Sequence, residues 1–165
     1  MRSGRHCITL RGNARSNDIG SEAPFGMTVT ANDLIGSWRL ESWSLVYEDG
    51  RPSDYPLGRD ADGFILYTAD GHVSATLTRR GRKPLASLDA AEKAKAYDDC
   101  FAYAGTYEVQ GAAVFHSIVV ATNPALAGIT STRNILMDST RLTLSGPDFS
   151  PGSPRWHRII WRRVT

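Results

Sequence analysis

Four side chains in the second half of the sequence, Tyr103, Tyr107, His116 and Arg133, are of the types that could do chemistry together. An imidazole titrating near neutral pH can move a proton, and phenols or a guanidinium can steady a developing oxyanion. Residues 101–121 read as a hairpin with Gln110-Gly111 at the turn. That register pairs Tyr107 with Val114, Gly105 with His116 and Tyr103 with Ile118, all on one face. Glycine opposite the imidazole leaves room above it, and the two tyrosines flank the gap diagonally. A face built of Tyr, His, Val and Ile has the apolar walls and few orienting polar groups of a small-molecule pocket. The same pattern also fits an outer face, or a core in which His116 hydrogen-bonds a tyrosine.

Arg133 belongs to a third hairpin, around Asp138-Ser139, where it shares a face with Ile135, Met137, Leu142 and Leu144. Burying an unpaired guanidinium is expensive, so it needs an internal acid, a tryptophan face, or an anionic or carbonyl-bearing ligand. Tyr67, on the mixed face of an earlier hairpin, joins the set. The candidate ligand-binding residues are therefore Tyr67, Tyr103, Tyr107, His116, Ile118 and Arg133, and the catalytic candidates are His116, Tyr103, Tyr107 and Arg133. Other chemistries lack their residues. There is no nucleophile elbow, no pair of carboxylates and no nucleotide-binding glycine motif. Glu108 falls on the face opposite His116. Cys7 and Cys100 make neither a disulfide framework nor a metal-ligand spacing, so no metal and no cofactor are expected.

The elements that must position these residues are strands. Gly63 to Leu77 reads as a hairpin about Asp70-Gly71, a type I′ turn signal. A two-residue turn there sets Thr68 opposite Val73, Leu66 opposite Ala75 and Phe64 opposite Leu77 on a mostly apolar face. Ile65, Tyr67, Ser74 and Thr76 then take the other. One hairpin with a greasy face cannot stand alone in water. Trp38 to Tyr47 reads as a strand with large apolar groups on both sides, preceded by a short capped turn at Asn32-Gly36, and Trp156 to Val164 reads as the last strand. Ser87 to Cys100 changes period: Asp89-Ala-Ala-Glu92 is a capping-box pattern, and Ala90, Ala94, Tyr97 and Phe101 follow helical spacing, with Tyr97 an anchor to the wall. The expectation is a mainly all-β chain: an eight-stranded antiparallel barrel with one helix between the third and fourth strands.

A chain of 165 residues suits one domain. Residues 1–26 are rich in Arg, Ser, Gly and Asn and show no period, so they read as a disordered leader or a mis-assigned start upstream of Met27, a transit peptide being the alternative. Residues 27–165 are the barrel domain. The leader sets Arg2, Arg5, Arg11 and Arg15 against Asp18 and Glu22, which leaves the body with 15 basic and 15 acidic residues. A neutral body argues against nucleic acid as partner, because phosphate binding needs clustered positive charge. The run Arg79-Arg80-Gly81-Arg82-Lys83 reads as a solvated loop. No apolar run is long enough to span a membrane, and a cytoplasmic protein is expected. The oligomeric state is open.

Leu34-Ile-Gly-Ser-Trp-Arg-Leu40, a Gly-x-Trp behind a short turn, together with a basic last strand, resembles the lipocalin or calycin signature. In that group the tryptophan packs at the closed barrel end beneath an arginine near the C-terminus, which implies Trp38 with Arg162 or Arg163. The chain more specifically resembles the bacterial and fungal lipocalin-like domain family. The matching pieces run in order through Tyr55-Pro-Leu-Gly58, Gly63 to Ser74, Phe101 to Val109, Val114-Phe-His116, Arg133, Leu142-Thr-Leu144 and Trp161-Arg-Arg163. Ser117 stands where the family often has a second histidine, and Leu126 where a tryptophan is expected, which weakens a metal-binding or proton-shuttling histidine pair. The resemblance implies a calyx for a small, mostly apolar molecule. The alternative it leaves open is a cofactor-free cyclase or isomerase acting on a biosynthetic intermediate, with His116 as acid or base. A more remote one is haem binding through His72 or His116.

Overall fold

A computed structural model of the chain describes residues 29–84, 86, 88–149 and 151–165. The expected leader over residues 1–26 and the start of the domain at Met27 lie outside the described residues. The rest forms eight antiparallel strands in sequential order, β8 closing on β1. The order is α1 (Ala31–Leu34), β1 (Gly36–Tyr47), β2 (Asp62–Tyr67), β3 (His72–Thr78), α2 (Ala90–Asp98), β4 (Cys100–Gln110), β5 (Ala113–Ala121), β6 (Thr130–Met137), β7 (Arg141–Pro147) and β8 (Arg155–Arg163). Strand count, closure and the place of α2 match the expectation.

The first hairpin departs from its expected register. Tyr67 pairs with Val73 and Ile65 with Ala75, because the loop holds three residues rather than two. The Thr68 amide donates to the His72 carbonyl at 2.9 Å, the Gly71 amide donates to the Thr68 carbonyl, and Gly71 takes φ 84°. That is a type I turn followed by a left-handed glycine. One extra residue flips one strand of the pair. Ile65 and Tyr67 face the core at 1% and 2% exposure, while Phe64 and Leu66 lie outside. The second hairpin also slips, by two residues: Tyr107 opposes His116, Val109 opposes Val114 and Gly105 opposes Ile118. An even slip keeps every side chain on its face, so Tyr103, Tyr107, His116 and Ile118 all stay inside. Gly105 is therefore not the gap above the imidazole. It sits at a bulge after Ala104, where the Ser117 carbonyl approaches too closely for any Cβ.

Two further local features differ from the sequence pattern. A bulge between Leu40 and Ser42 reverses parity within β1, so Trp38 and Leu40 point inward below it and Trp43 and Tyr47 above it. This accounts for large apolar residues on both faces. Glu41, at the bulge, accepts from Arg141 Nε at 2.7 Å and Arg162 Nε at 2.6 Å outside the barrel. In α2 the Asp89–Glu92 capping box forms, with the Glu92 amide donating to Asp89 at 2.8 Å. Its buried residue is Ala96, not the face of Ala90, Ala94 and Tyr97. Tyr97 is half exposed and still holds the wall, its hydroxyl donating to the Thr122 carbonyl.

The two barrel ends differ in their connections. Short turns join β2–β3, β4–β5 and β6–β7 at one end, and α1 packs there. The other end carries the long segments 48–61, 79–99, 122–129 and 148–154. At the short-loop end Trp38 is fully buried and its Nε1–H donates to the Leu34 carbonyl at 2.8 Å. Arg163 lies 4.0 Å above the indole and donates to the Ile35 and Asp33 carbonyls at 3.1 and 2.7 Å. The guanidinium thus satisfies carbonyls at the C-terminal end of α1 and fastens it as a plug. Of the two arginines that the resemblance offered, Arg163 takes this role and Arg162 faces outward to Glu41. Arg163→Met keeps the packed stem and loses the donors, so we expect a loss of about 1–2 kcal/mol. A lower urea midpoint at unchanged m value would register it; an unchanged midpoint would mean that α1 is held by packing alone.

Candidate functional site

Above the plug the interior is hollow. A cavity of about 860 Å³ opens toward the long-loop end. Its walls are mostly aliphatic and aromatic, supplied by inward positions of every strand. Ile65, Ala75, Tyr103, Ile118, Leu144 and Ile159 are among them, and Arg133 is the charge set into this wall from the middle of β6. Eight strands enclose just enough space for one small ligand when the side chains leave it free. Here the small Ala75, at 1% exposure, helps to leave it free.

Aromatic rings run from the mouth to the plug. Trp43 meets Phe101 at 5.5 Å between centroids, Phe101 meets Tyr103 at 5.8 Å, Tyr103 meets His116 at 5.8 Å, and Tyr67 follows at 5.6 Å from His116 and 4.8 Å from Tyr107. Three of the expected site residues, Tyr103, Ile118 and Arg133, line the cavity. Tyr67, Tyr107 and His116 do not line it; they lie behind Tyr103 in the chain of rings. Tyr107 turns its hydroxyl to the Thr68 carbonyl at 3.1 Å. His116 is 1% exposed and bonded on both nitrogens, with Tyr67 Oη 2.9 Å from Nε2 and Tyr103 Oη 2.8 Å from Nδ1. No ring nitrogen is left for a substrate.

Burial, with the Arg133 charge second, pulls the His116 pKa down to about 3. The imidazole is therefore neutral at physiological pH and carries one N–H. It accepts from one tyrosine and donates to the other. The surroundings choose which. Tyr67 is 2% exposed and has no second hydrogen-bond partner among the described residues. A spare phenolic proton there would be buried unsatisfied, at a cost of about 1–3 kcal/mol. Tyr103 lines the cavity, where its proton has somewhere to go. The consistent arrangement runs from Tyr67 O–H to Nε2, from Nδ1–H to Tyr103 Oη, and from Tyr103 O–H into the cavity. Burial also raises both phenol pKa values, against the lowering influence of Arg133, so both stay protonated.

Arg133 is positioned by its neighbour across the β6–β7 pair. Gly146 faces it, and a Cβ there would come within 3.0 Å of Nη1 and 3.2 Å of Cδ. The side chain donates from Nη1 to the Thr132 carbonyl at 2.9 Å, and among the described residues no carboxylate forms a salt bridge with it. Burial lowers its pKa, countered by Tyr103 and Tyr67. The acidic partner at the mouth is already engaged, since Asp148 takes Arg155 Nε at 2.5 Å.

His157 is a site residue that the sequence reading missed. It sits at the mouth on β8, accepts from Trp43 Nε1 at 3.1 Å through Nδ1, and is drawn below its ordinary pKa, burial first. The alternation of Arg155, His157, Ile159, Trp161 and Arg163 carried the signal that it points inward. His72 lies outside, near Asp70 at 3.3 Å and well exposed. Neither it nor His116 offers a free nitrogen over the cavity for haem. Among the described residues no group of His, Cys, Asp and Glu is clustered to hold a metal ion, and no helix is long and apolar enough to cross a membrane.

A comparison with curated proteins gives no match. Among solved structures, "EF1p2_mFAP2b bound to DFHBI" is similar at TM-score 0.41 and 14% identity, over 82% of this chain and 97% of that one. The family model described as the lipocalin-like domain matches residues 35–164, from the residue before β1 to the residue after β8. With the whole barrel inside that match, the chain belongs to the lipocalin-like domain family.

Proposed function

We propose that the protein binds one small, mostly apolar molecule in the barrel cavity. The observation that carries this reading is the hollow itself: about 860 Å³, apolar-walled, closed at one end by the Trp38–Arg163 plug and open at the other. That volume lies within the range of ligand pockets, and barrel mouths are favoured places for them. A protein with no ligand for this space would gain stability by filling it, since a cavity wall forfeits dispersion contacts. Catalysis through His116 as a direct acid or base draws no support from the site, because both ring nitrogens are occupied and Tyr103 stands between the ring and the cavity.

The test is a fluorescence titration with N-phenyl-1-naphthylamine, a neutral dye that brightens in apolar surroundings. The parent should bind it stoichiometrically, one per chain. Ala75→Trp, which pushes an indole into the cavity, should weaken binding by roughly tenfold or more. Equal binding by both proteins, or none by the parent, contradicts the proposal.

A further inference from the structure

Two of the polar groups that line the cavity, Arg133 and Tyr103, can act together as donors. Arg133 presents guanidinium N–H groups and lacks a carboxylate among the described residues, although β7 gives up a side chain at Gly146 to make room for it. Tyr103 lines the same cavity with its oxygen 2.8 Å from His116 Nδ1; with the relay running from Tyr67 as argued above, that oxygen accepts from Nδ1–H and the phenolic proton turns to the cavity. Both side chains belong to the lining of the one cavity. A neutral apolar guest would leave the Tyr103 proton, the guanidinium N–H groups other than the one on the Thr132 carbonyl, and the charge without an acceptor, in a place where water is displaced. A guest ending in an oxyanion satisfies all of them at once, and charge-assisted hydrogen bonds are the strong ones.

We propose that the ligand is an organic anion: an apolar body carrying one carboxylate or one ionised phenol or enol, its oxygen held between the Arg133 guanidinium and the Tyr103 hydroxyl. His116 and Tyr67 are positioning residues. The buried relay Tyr67–His116–Tyr103 keeps Tyr103 a donor, so it adds a hydrogen bond to the charge-assisted one by which Arg133 favours an oxyanion over a neutral acceptor. This inference rests on the cavity being a ligand site.

The experiment uses matched pairs in which one methyl group removes the charge. Dansylaminoundecanoic acid is titrated against its methyl ester, and pentachlorophenol against pentachloroanisole, the last pair by displacement of N-phenyl-1-naphthylamine at neutral pH. The parent should prefer at least one acid over its neutral partner by roughly 10–100-fold. A preference in both pairs marks a general oxyanion site, and a preference in one names which source the shape admits. Arg133→Met should reduce the preference to about threefold or less. Arg133→Lys should keep part of it. His116→Leu, which breaks the relay, should reduce the preference without abolishing neutral binding. If the parent binds acid and neutral partner equally while still taking up the naphthylamine, the cavity reading stands and the oxyanion inference falls. Full preference retained by Arg133→Met overturns the oxyanion inference as well. If the naphthylamine itself does not bind, the cavity reading has failed first.

Discussion

Gly105→Ala should lower the melting temperature by roughly 5–15 °C, corresponding to a loss of about 2–4 kcal/mol. An alanine Cβ at this position would lie 2.9 Å from the Ser117 carbonyl carbon and 3.1 Å from Ile118 Cα, with the Ser117 oxygen closer still. Those are backbone atoms in the facing strand, so no rotamer change relieves the clash. The strands must part at the Ala104–Gly105 bulge. Parting them there moves Tyr103 away from His116, because the two residues sit on opposite sides of that junction. The substitution should therefore weaken anion selectivity along with stability. Gly111→Ala is the control: Gly111 has φ 58° and open space around it, so only backbone strain of about 1 kcal/mol is expected. Thermal melts followed by circular dichroism separate the two. Similar melting temperatures for both variants would show that β4 and β5 do not approach as described.

Acidification should destabilise the protein well before its carboxylates titrate. The native His116 pKa is depressed to about 3 from an ordinary 6.5. Between those values the unfolded chain binds a proton that the native state refuses, so unfolding becomes easier as the pH falls. Stability is fully present above 6.5 and declines toward 3, with a slope approaching about 1.4 kcal/mol per pH unit. His157 is shifted the same way by burial and adds to this slope. Carboxylates lowered by their partners, such as Asp99 with its bonds from Arg79 and Lys95, contribute only at lower pH. His116→Gln removes the titration and can still bridge two hydroxyls. Between pH 6 and 4.5 its stability should fall less steeply than the parent's, by about 1 kcal/mol per unit. Equal slopes, or a His116 that titrates near its ordinary value by NMR, would place the ring in a wetter setting than the structure gives it.

The strand pattern made some of this legible and left some of it hidden, for reasons that particular residues illustrate. Period-two alternation assigns a shared face, so the grouping of Tyr103, Tyr107, His116 and Ile118 was readable and a register slip of two could not undo it, while whether that face looks inward stayed open until the barrel closed. Ile65 and Tyr67 show the opposite case. Asp70-Gly71 suits both a two-residue and a three-residue loop, and the odd residue sends Phe64 and Leu66 outside. Parity also breaks silently at a bulge, as at Glu41 in β1. Depth along the barrel axis is the quantity that alternation does not encode. It depends on strand tilt and stagger and on which end is plugged. Hence the pattern grouped His116 with Tyr103, but the plug at α1 decided that Tyr103 borders the cavity while His116 lies beneath it.

Whether a guest enters the inside of this barrel is read directly by methyl NMR. With N-phenyl-1-naphthylamine added, the methyl groups of Ala75, Ile118, Leu144 and Ile159, which line the cavity, should shift and show cross-relaxation to the dye. Those of Leu66, Val119 and Val120, around the shallow groove on the outer surface, should stay in place. Shifts confined to the outer three, with the inner four unmoved, would put the binding site on the outer surface and leave the cavity without its role.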